Sequence, residues 1–139
     1  MSVLLDTNAL SELLRASPDS VVLDWFSRQR EGQLFVSAVT QAEMVLGARL
    51  LPIGKRQQRL QDALRGLFEE DFTNRVLPFD GACVDCYAQI VAARRRVGRP
   101  ISQFDAQIAA IALQNGLALA TRNLRDFEGC GVRLINPWD

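Results

Sequence analysis

The stretch VLLDTN at residues 3–8 begins with a short apolar run, residues 3–5, which is followed by an acidic residue, Asp6. An apolar run of this length without polar alternation is typical of a strand buried on both faces, as in a parallel sheet. Similar runs recur along the chain at residues 34–37, 76–78, 117–121 and 132–135. Because longer segments of helical period separate these runs, the sequence predicts an α/β fold with a central, mainly parallel, five-stranded sheet flanked by helices.

The helical periods predict six helices, at residues 8–15, 21–30, 41–51, 55–72, 81–97 and 104–115. The breaks at Pro52-Ile-Gly54 and Gly98-Arg-Pro100 are typical of turns between helices of one domain. A chain of 139 residues can bury one continuous core. We therefore expect a single domain over residues 1–139.

The composition excludes several classes of site. The chain has no histidine, which removes Ser-His-Asp and Cys-His catalysis and the commonest transition-metal ligand. Cys83 and Cys86 form a C-x-x-C motif, but with Cys130 they supply only three thiols, too few for a four-ligand zinc site. The motif lies in a predicted helix, where two small buried thiols are the simpler interpretation than a redox pair.

Charge and hydropathy give a weaker indication of location and partners. Sixteen basic residues balance sixteen acidic ones, so nucleic-acid binding would need a local basic patch. No apolar run is long enough to cross a bilayer, and the amino terminus lacks the features of a signal peptide. We expect a cytoplasmic protein that does not contact the membrane.

Three acidic residues are expected at one edge of the predicted sheet. Asp6 follows the first strand, Glu43 lies in what is predicted to be the first turn of the helix after residues 34–37, and Asp105 opens the helix at 104–115. In open parallel sheets the ligand site lies outside the carboxyl ends of the strands. Converging carboxylates repel one another, and a hard divalent cation such as Mg²⁺ or Mn²⁺ relieves that repulsion. Such a site favours phosphoryl chemistry.

Helix capping is the alternative interpretation of the same residues. Thr40-Gln-Ala-Glu43 and Ser102-Gln-Phe-Asp105 both match the capping-box pattern, in which the acid stabilises the start of a helix. Asp6 could likewise complete a turn before the first helix.

The chain resembles the PIN-domain ribonucleases, and among them the VapC-type toxins of the FitB-like branch. The resemblance spans nearly the whole chain and is carried by LLDTN at 4–8 with Ser11-Glu12, VSAVT at 36–40 with Ala42-Glu43 and Leu46-Gly47, LPFD at 77–80 with Tyr87-Ala88, Ile101, Asp105-Ala106 with IAA at 108–110, ATRN at 120–123 with Asp126-Phe127, and NPW at 136–138. It implies a PIN fold, a Mg²⁺- or Mn²⁺-dependent endoribonuclease, and a toxin neutralised by a cognate antitoxin, a small DNA-binding protein. It also implies a homodimer or a larger assembly with that antitoxin.

By position, the resemblance makes Asp6, Glu43 and Asp105 the principal catalytic acids and metal ligands. The fourth acidic position is open, because Asn123 stands where some relatives carry Asp and Asp126 follows three residues later. Asp126 is assigned to the catalytic set, with bracing of the turn before Phe127 as its alternative role. The remaining polar residues of the stretches LLDTN and ATRN are assigned to substrate binding or to support of the site. They are Thr7, Asn8, Thr121, Arg122 and Asn123.

Arginine is the expected phosphate contact, because its guanidinium binds phosphate in a bidentate manner. Arg122 is the preferred candidate, since it lies on the predicted acidic edge. The denser cluster of Arg94, Arg95, Arg96 and Arg99 is interpreted as a solvated helix end.

Two other functions fit the sequence. One is a weakly active regulatory partner of a DNA-binding antitoxin. The other is a metal-dependent hydrolase of a small phosphoester, which would need a deep, closed pocket.

Overall fold

The computed structural model of the chain describes residues 1–139. Its strands are β1 (Val3–Leu5), β2 (Leu34–Ser37), β3 (Val76–Leu77), β4 (Ala118–Ala120) and β5 (Leu134–Ile135). Its α-helices are α1 (Thr7–Glu12), α2 (Ser20–Ser27), α3 (Ala38–Arg49), α4 (Lys55–Gly66), α5 (Val84–Arg96) and α6 (Gln103–Gln114). A π-helical turn continues α4 at Leu67–Asp71, and 3-10 turns lie at Gly81–Cys83 and Leu124–Phe127.

The five strands form one sheet in the order β3-β2-β1-β4-β5, and every neighbouring pair is parallel. This confirms the predicted α/β fold with a five-stranded sheet. The order reverses at β1, which pairs with β2 on one side and with β4 on the other. Ligands of open parallel sheets bind at such a reversal, outside the carboxyl ends of the strands. Asp6 directly follows β1 and Thr121 directly follows β4, so both residues lie at this point.

Helices cover both faces of the sheet, which explains the uninterrupted apolar sequence of β1. Val3 and Leu5 pack into one apolar cluster and Leu4 into a second, and all three are fully buried. The first cluster includes side chains of α1, α3 and α4, and the second includes side chains of α5 and α6. Burial of each Leu contributes about 2 kcal/mol. The end of β1, and therefore Asp6, is held firmly in the core.

The helix after β2 begins earlier than the sequence predicts. We expect a start at Gln41, but α3 starts at Ala38, because the Ser37 Oγ accepts a hydrogen bond from the Thr40 amide at 2.9 Å and caps the helix. Residues 55–72, predicted as one helix, form α4 and the π turn. None of the helices is both long and apolar enough to span a bilayer.

Candidate active site

Asp6 occupies the centre of the carboxyl edge of the sheet and is only 5% exposed. Its Oδ1 accepts a hydrogen bond from the Thr7 amide at 2.8 Å, which caps α1. Its Oδ2 accepts from the Thr121 hydroxyl at 2.8 Å and from the Asn8 Nδ2 at 3.2 Å. Capping and placement at the candidate site are therefore combined in one side chain.

A polar network joins the ends of β1 and β4 around Asp6. The Thr121 Oγ1 donates to Asp6 and accepts from the Asn123 amide at 3.1 Å. The Asn8 Oδ1 accepts from the Arg122 amide at 3.2 Å. Although more than 110 residues separate the two motifs in sequence, these bonds hold Asp-Thr-Asn and Thr-Arg-Asn against each other. The residues assigned to support the site thus meet at this edge, Arg122 and Asn123 through their backbone amides.

Glu43 reaches the same network through Thr7. The Thr7 Oγ1 donates to the Glu43 Oε1 at 3.0 Å and lies 3.0 Å from the Thr40 Oγ1. Because Thr7 gives its proton to Glu43, Thr40 donates the second bond to Thr7. The threonine pair thus fixes the position of the Glu43 carboxylate.

Two predictions about Glu43 are wrong. It does not lie in the first turn of its helix, because α3 begins at Ala38 and places it one turn further on. Thr40 is not a capping residue, since Ser37 caps α3 and Thr40 lies buried within it. The capping alternative for Glu43 therefore fails.

Asp105 lies in the first turn of α6 and is half-buried. Ser102 caps this helix, and its Oγ accepts from the Asp105 amide at 3.2 Å. The carboxylate of Asp105 makes no return hydrogen bond to the backbone of Ser102, so only half of the predicted capping box forms. Helix capping accounts for Ser102 but not for the acidic side chain at Asp105.

Burial and mutual repulsion raise the pKa of two of these acids. Burial raises the pKa of Asp6, the bonds from Thr121 and Thr7 oppose that shift, and the charges of Glu43 and Asp126 add to it.

Burial likewise raises the pKa of Asp105. The charges of Asp6 and Asp126 add to this shift, whereas Ser102 and Arg94 oppose it. Each of the four predicted acids therefore takes part in at least one repulsion across a shared edge of the sheet.

The acids do not, however, form a compact group of three or more that could hold one metal ion between them. Mg²⁺ usually binds one or two protein carboxylates and keeps several waters, so a smaller ligand set is compatible with it. The donors at this edge are oxygens, which suit hard divalent cations. The assignment of Asp6, Glu43 and Asp105 as metal ligands stays a prediction.

The two candidates for the fourth position lie side by side after β4. Asp126 is exposed in the turn at Leu124–Phe127, and neither its carboxylate nor the side-chain amide of Asn123 makes a hydrogen bond within the protein. The alternative role of Asp126 as a brace of the turn therefore has no hydrogen bond to support it. Both side chains are available to a ligand.

Arg94 is the residue that sequence reasoning misjudged most. Its guanidinium is buried, with 6% exposure, and donates to the carbonyls of Arg99 at 2.6 Å, Asp126 at 2.8 Å and Glu128 at 3.1 Å. The interpretation of this residue as part of a solvated helix end is wrong, because Arg94 ties the end of α5 to the turn that carries Asp126. Arg95, Arg96 and Arg99 are exposed, as predicted, and Arg99 pairs with Glu128 at 3.0 Å.

The reversal of strand order and the acidic edge place the chain among α/β proteins with a carboxylate site at the carboxyl end of a parallel sheet. The PIN-domain sequence pattern matches residues 3–129. The chain belongs to the PIN-domain family, which confirms the predicted resemblance. Nucleases of this family generally use divalent metal ions.

Three relatives are similar to the chain over almost its whole length. They are plasmid stability protein StbB of Pseudomonas syringae pv. tomato (44% identity, 99% of both chains), VapC ribonuclease Y4jK of Sinorhizobium fredii (40%, 99% of this chain and 98% of the relative) and toxin FitB of Neisseria gonorrhoeae (38%, 98% of both). Among solved structures, FitAB bound to an IR36 DNA fragment matches 99% of this chain and 96% of the other, with a TM-score of 0.93 and 37% identity.

Proposed function

We propose that this protein is an endoribonuclease that uses Mg²⁺ or Mn²⁺ to hydrolyse phosphodiester bonds in RNA. The observation that carries the proposal is the set of acids at the point of strand reversal, with Asp6 buried at its centre and hydrogen-bonded to the ends of β1 and β4. The likeness to a VapC ribonuclease over 99% of the chain supports the same activity.

In this proposal, one or two carboxylates among Asp6, Glu43 and Asp105 would hold the metal ion together with waters, and Asp126 would complete the catalytic set. When bound, the metal would supply positive charge that activates a water and offsets charge on the phosphate oxygens. Thr7 orients the Glu43 carboxylate through its 3.0 Å bond. Water attacks phosphorus as the P–O bond to one ribose breaks, and the leaving oxygen gains a proton.

We also propose that the protein is the toxin of a toxin–antitoxin pair, with a small DNA-binding antitoxin as its partner. The similarity to toxin FitB, and to a FitAB assembly solved on DNA, supports this assignment. Asp126 is exposed and Glu43 and Asp105 are half-buried, so a basic side chain of the antitoxin would reach these carboxylates and compete with the metal. A homodimer, alone or within the larger assembly, is the expected form of the toxin.

The DNA-bound assembly also favours the second candidate, a regulatory partner with little nuclease activity of its own. The hydrolase of a small phosphoester has less support, because Asp126 is exposed and the depression beside it is open, unlike a deep pocket. Nuclease activity of the purified chain separates these candidates.

The deciding experiment incubates the purified chain with total RNA and sequences the RNA ends that appear. New ends are expected with Mg²⁺ or Mn²⁺ and should be absent in excess chelator, because without the metal no water is activated and the charge on the phosphate oxygens is not offset. Asp6→Asn, purified in parallel, controls for contaminating nucleases. Equal cleavage with chelator, or none with either metal, would contradict the proposed activity.

The fourth acidic position gives a more specific prediction. Asp126→Asn is expected to lower turnover at least about tenfold with the fold intact, because it removes charge while the exposed site tolerates the amide. Asn123→Asp should change turnover little or tighten metal binding modestly. Kinetics at saturating Mn²⁺ measure both effects. If Asp126→Asn equals the parent while Asn123→Ala is inactive, the fourth position belongs to Asn123.

A further inference from the structure

We propose that Arg122 and Trp138, with the depression beside them, form a binding subsite for one unpaired nucleotide of the RNA. The inference rests on the proposed ribonuclease function and identifies where the substrate strand is held next to the acidic edge. It assigns a role to Trp138, which belongs to no catalytic motif of the chain.

The two side chains form a cation–π pair. The Arg122 Cζ lies 5.2 Å from the centroid of the Trp138 ring, while Arg122 is exposed and Trp138 half-buried. A guanidinium placed over an aromatic ring leaves its other face open to solvent. Unpaired RNA bases stack on aromatic rings and on guanidinium planes. The pair is therefore a ready platform for a base.

Hydrogen bonds fix the platform relative to the acids. The Arg122 amide donates to the Asn8 Oδ1 at 3.2 Å, and Arg122 directly follows Thr121, whose hydroxyl bonds Asp6 at 2.8 Å. On the other side, the Trp138 amide donates to the Asn136 Oδ1 at 3.0 Å. These bonds hold the backbone on both sides of the pair, so a base on this platform would sit beside the acidic edge.

The surroundings of the platform suit a nucleotide in size and charge. A depression of about 420 Å³ is lined by Arg122 to Asp126. An open depression of this size can admit one nucleotide of a strand, whereas a small phosphoester would need a closed pocket. Arg122 and Arg125 pair with no carboxylate, although the chain carries as many acids as bases. Their free guanidinium groups can bind the phosphates, and the side-chain amide of Asn123 is free to contact a base edge.

Fluorescence of Trp138 tests the proposal directly. The chain has two tryptophans, so in a Trp25→Phe background Trp138 is the sole reporter. We expect an unstructured 12-nucleotide RNA, titrated in chelator to prevent cleavage, to quench this fluorescence. Base stacking is worth about 1–3 kcal/mol, so Arg122→Ala should weaken binding at least about fivefold. An abasic oligonucleotide of the same length should bind the parent with similarly reduced affinity.

Two further variants separate stacking from charge. Arg122→Lys keeps the positive charge but lacks the planar guanidinium. It should therefore lose most of the affinity that distinguishes the RNA from the abasic oligonucleotide. Arg133→Ala removes an exposed arginine that precedes β5, at the opposite edge of the sheet, and should bind like the parent. If Arg122→Lys binds the RNA as tightly as the parent does, Arg122 contributes only its charge and the proposed base platform is wrong.

The failure of the subsite differs from the failure of the proposed function. If the parent cleaves RNA, and Arg122→Ala and Trp138→Ala bind and cleave as the parent does, the subsite is wrong and the ribonuclease stands. If RNA quenches Trp138 but no divalent metal supports cleavage, the subsite is supported and the ribonuclease is wrong. RNA binding seen by anisotropy without quenching also overturns the subsite.

Discussion

Asp6→Asn and Asp105→Asn are each expected to slow RNA cleavage at least about a thousandfold, equivalent to about 4 kcal/mol of activation free energy. Each change replaces a charged oxygen ligand by a neutral amide at the acidic edge, so the metal is bound weakly and the charge on the phosphate is poorly offset. Single-turnover rates at a fixed Mg²⁺ concentration measure the loss.

The matched control is Asp62→Asn, which makes the same chemical change on the exposed face of α4. Asp62 pairs with Arg65 at 3.3 Å and accepts from the Gln58 Nε2 at 3.0 Å, and it has no contact with the acidic edge. Its cleavage rate should equal that of the parent. If Asp105→Asn keeps a rate within about tenfold of the parent, Asp105 serves the helix start and not the chemistry.

Stability without metal separates the two roles of these acids. Burial and neighbouring charges raise the pKa of both residues in the folded chain. A carboxyl whose pKa is raised on folding favours the folded state in acid and loses that contribution as the pH rises through its folded pKa. In chelator near neutral pH, Asp105→Asn should therefore melt above the parent, and the difference should vanish in acid.

Asp6→Asn should raise the melting temperature less than Asp105→Asn does, because the Asp6 carboxylate accepts three hydrogen bonds that a single amide oxygen cannot replace. Melting curves in chelator over a range of pH give both comparisons. Variants that both melt several degrees below the parent near neutral pH would show that the acids serve mainly as helix caps.

The central strands could be predicted from sequence because they are buried on both faces. β1 and β2 have the predicted bounds, Val3–Leu5 and Leu34–Ser37, where apolar residues are nearly continuous. The edge strand β5 is only Leu134–Ile135, whereas residues 132–135 are predicted, because it pairs with β4 at two positions alone. Strand ends at a sheet edge depend on the neighbour, which the sequence of the strand does not contain.

Some contacts of the candidate site can likewise be predicted from the sequence, whereas others depend on packing between elements. The nearness of Asp6 and Thr121 follows from the strand reversal, since each residue follows one of two adjacent strands. The bond from Thr7 to Glu43 depends on how α1 packs against α3, and no motif reports it. A dense run of arginines in the sequence likewise cannot reveal that one of them, Arg94, turns inward.

Arg94 holds the turn that carries Asp126, and three backbone carbonyls rely on its guanidinium. A buried donor set of this kind is stabilising only while every partner is satisfied, because an unpaired buried carbonyl costs about 1–3 kcal/mol. Lys offers a single ammonium group in place of the planar fork and cannot reach the three carbonyls with the same geometry.

Arg94→Met is therefore expected to destabilise the fold by about 3 kcal/mol or more, which lowers the melting temperature by about 10 °C. Urea unfolding measures the free energy. Arg95→Met, at the next and exposed position of α5, is the control and should change stability by less than about 0.5 kcal/mol.

At a temperature where the variant is fully folded, Arg94→Met should also lower turnover, because the backbone of Asp126 loses its 2.8 Å bond. If Arg94→Met unfolds at the same urea concentration as the parent, water replaces the guanidinium and the turn does not depend on Arg94.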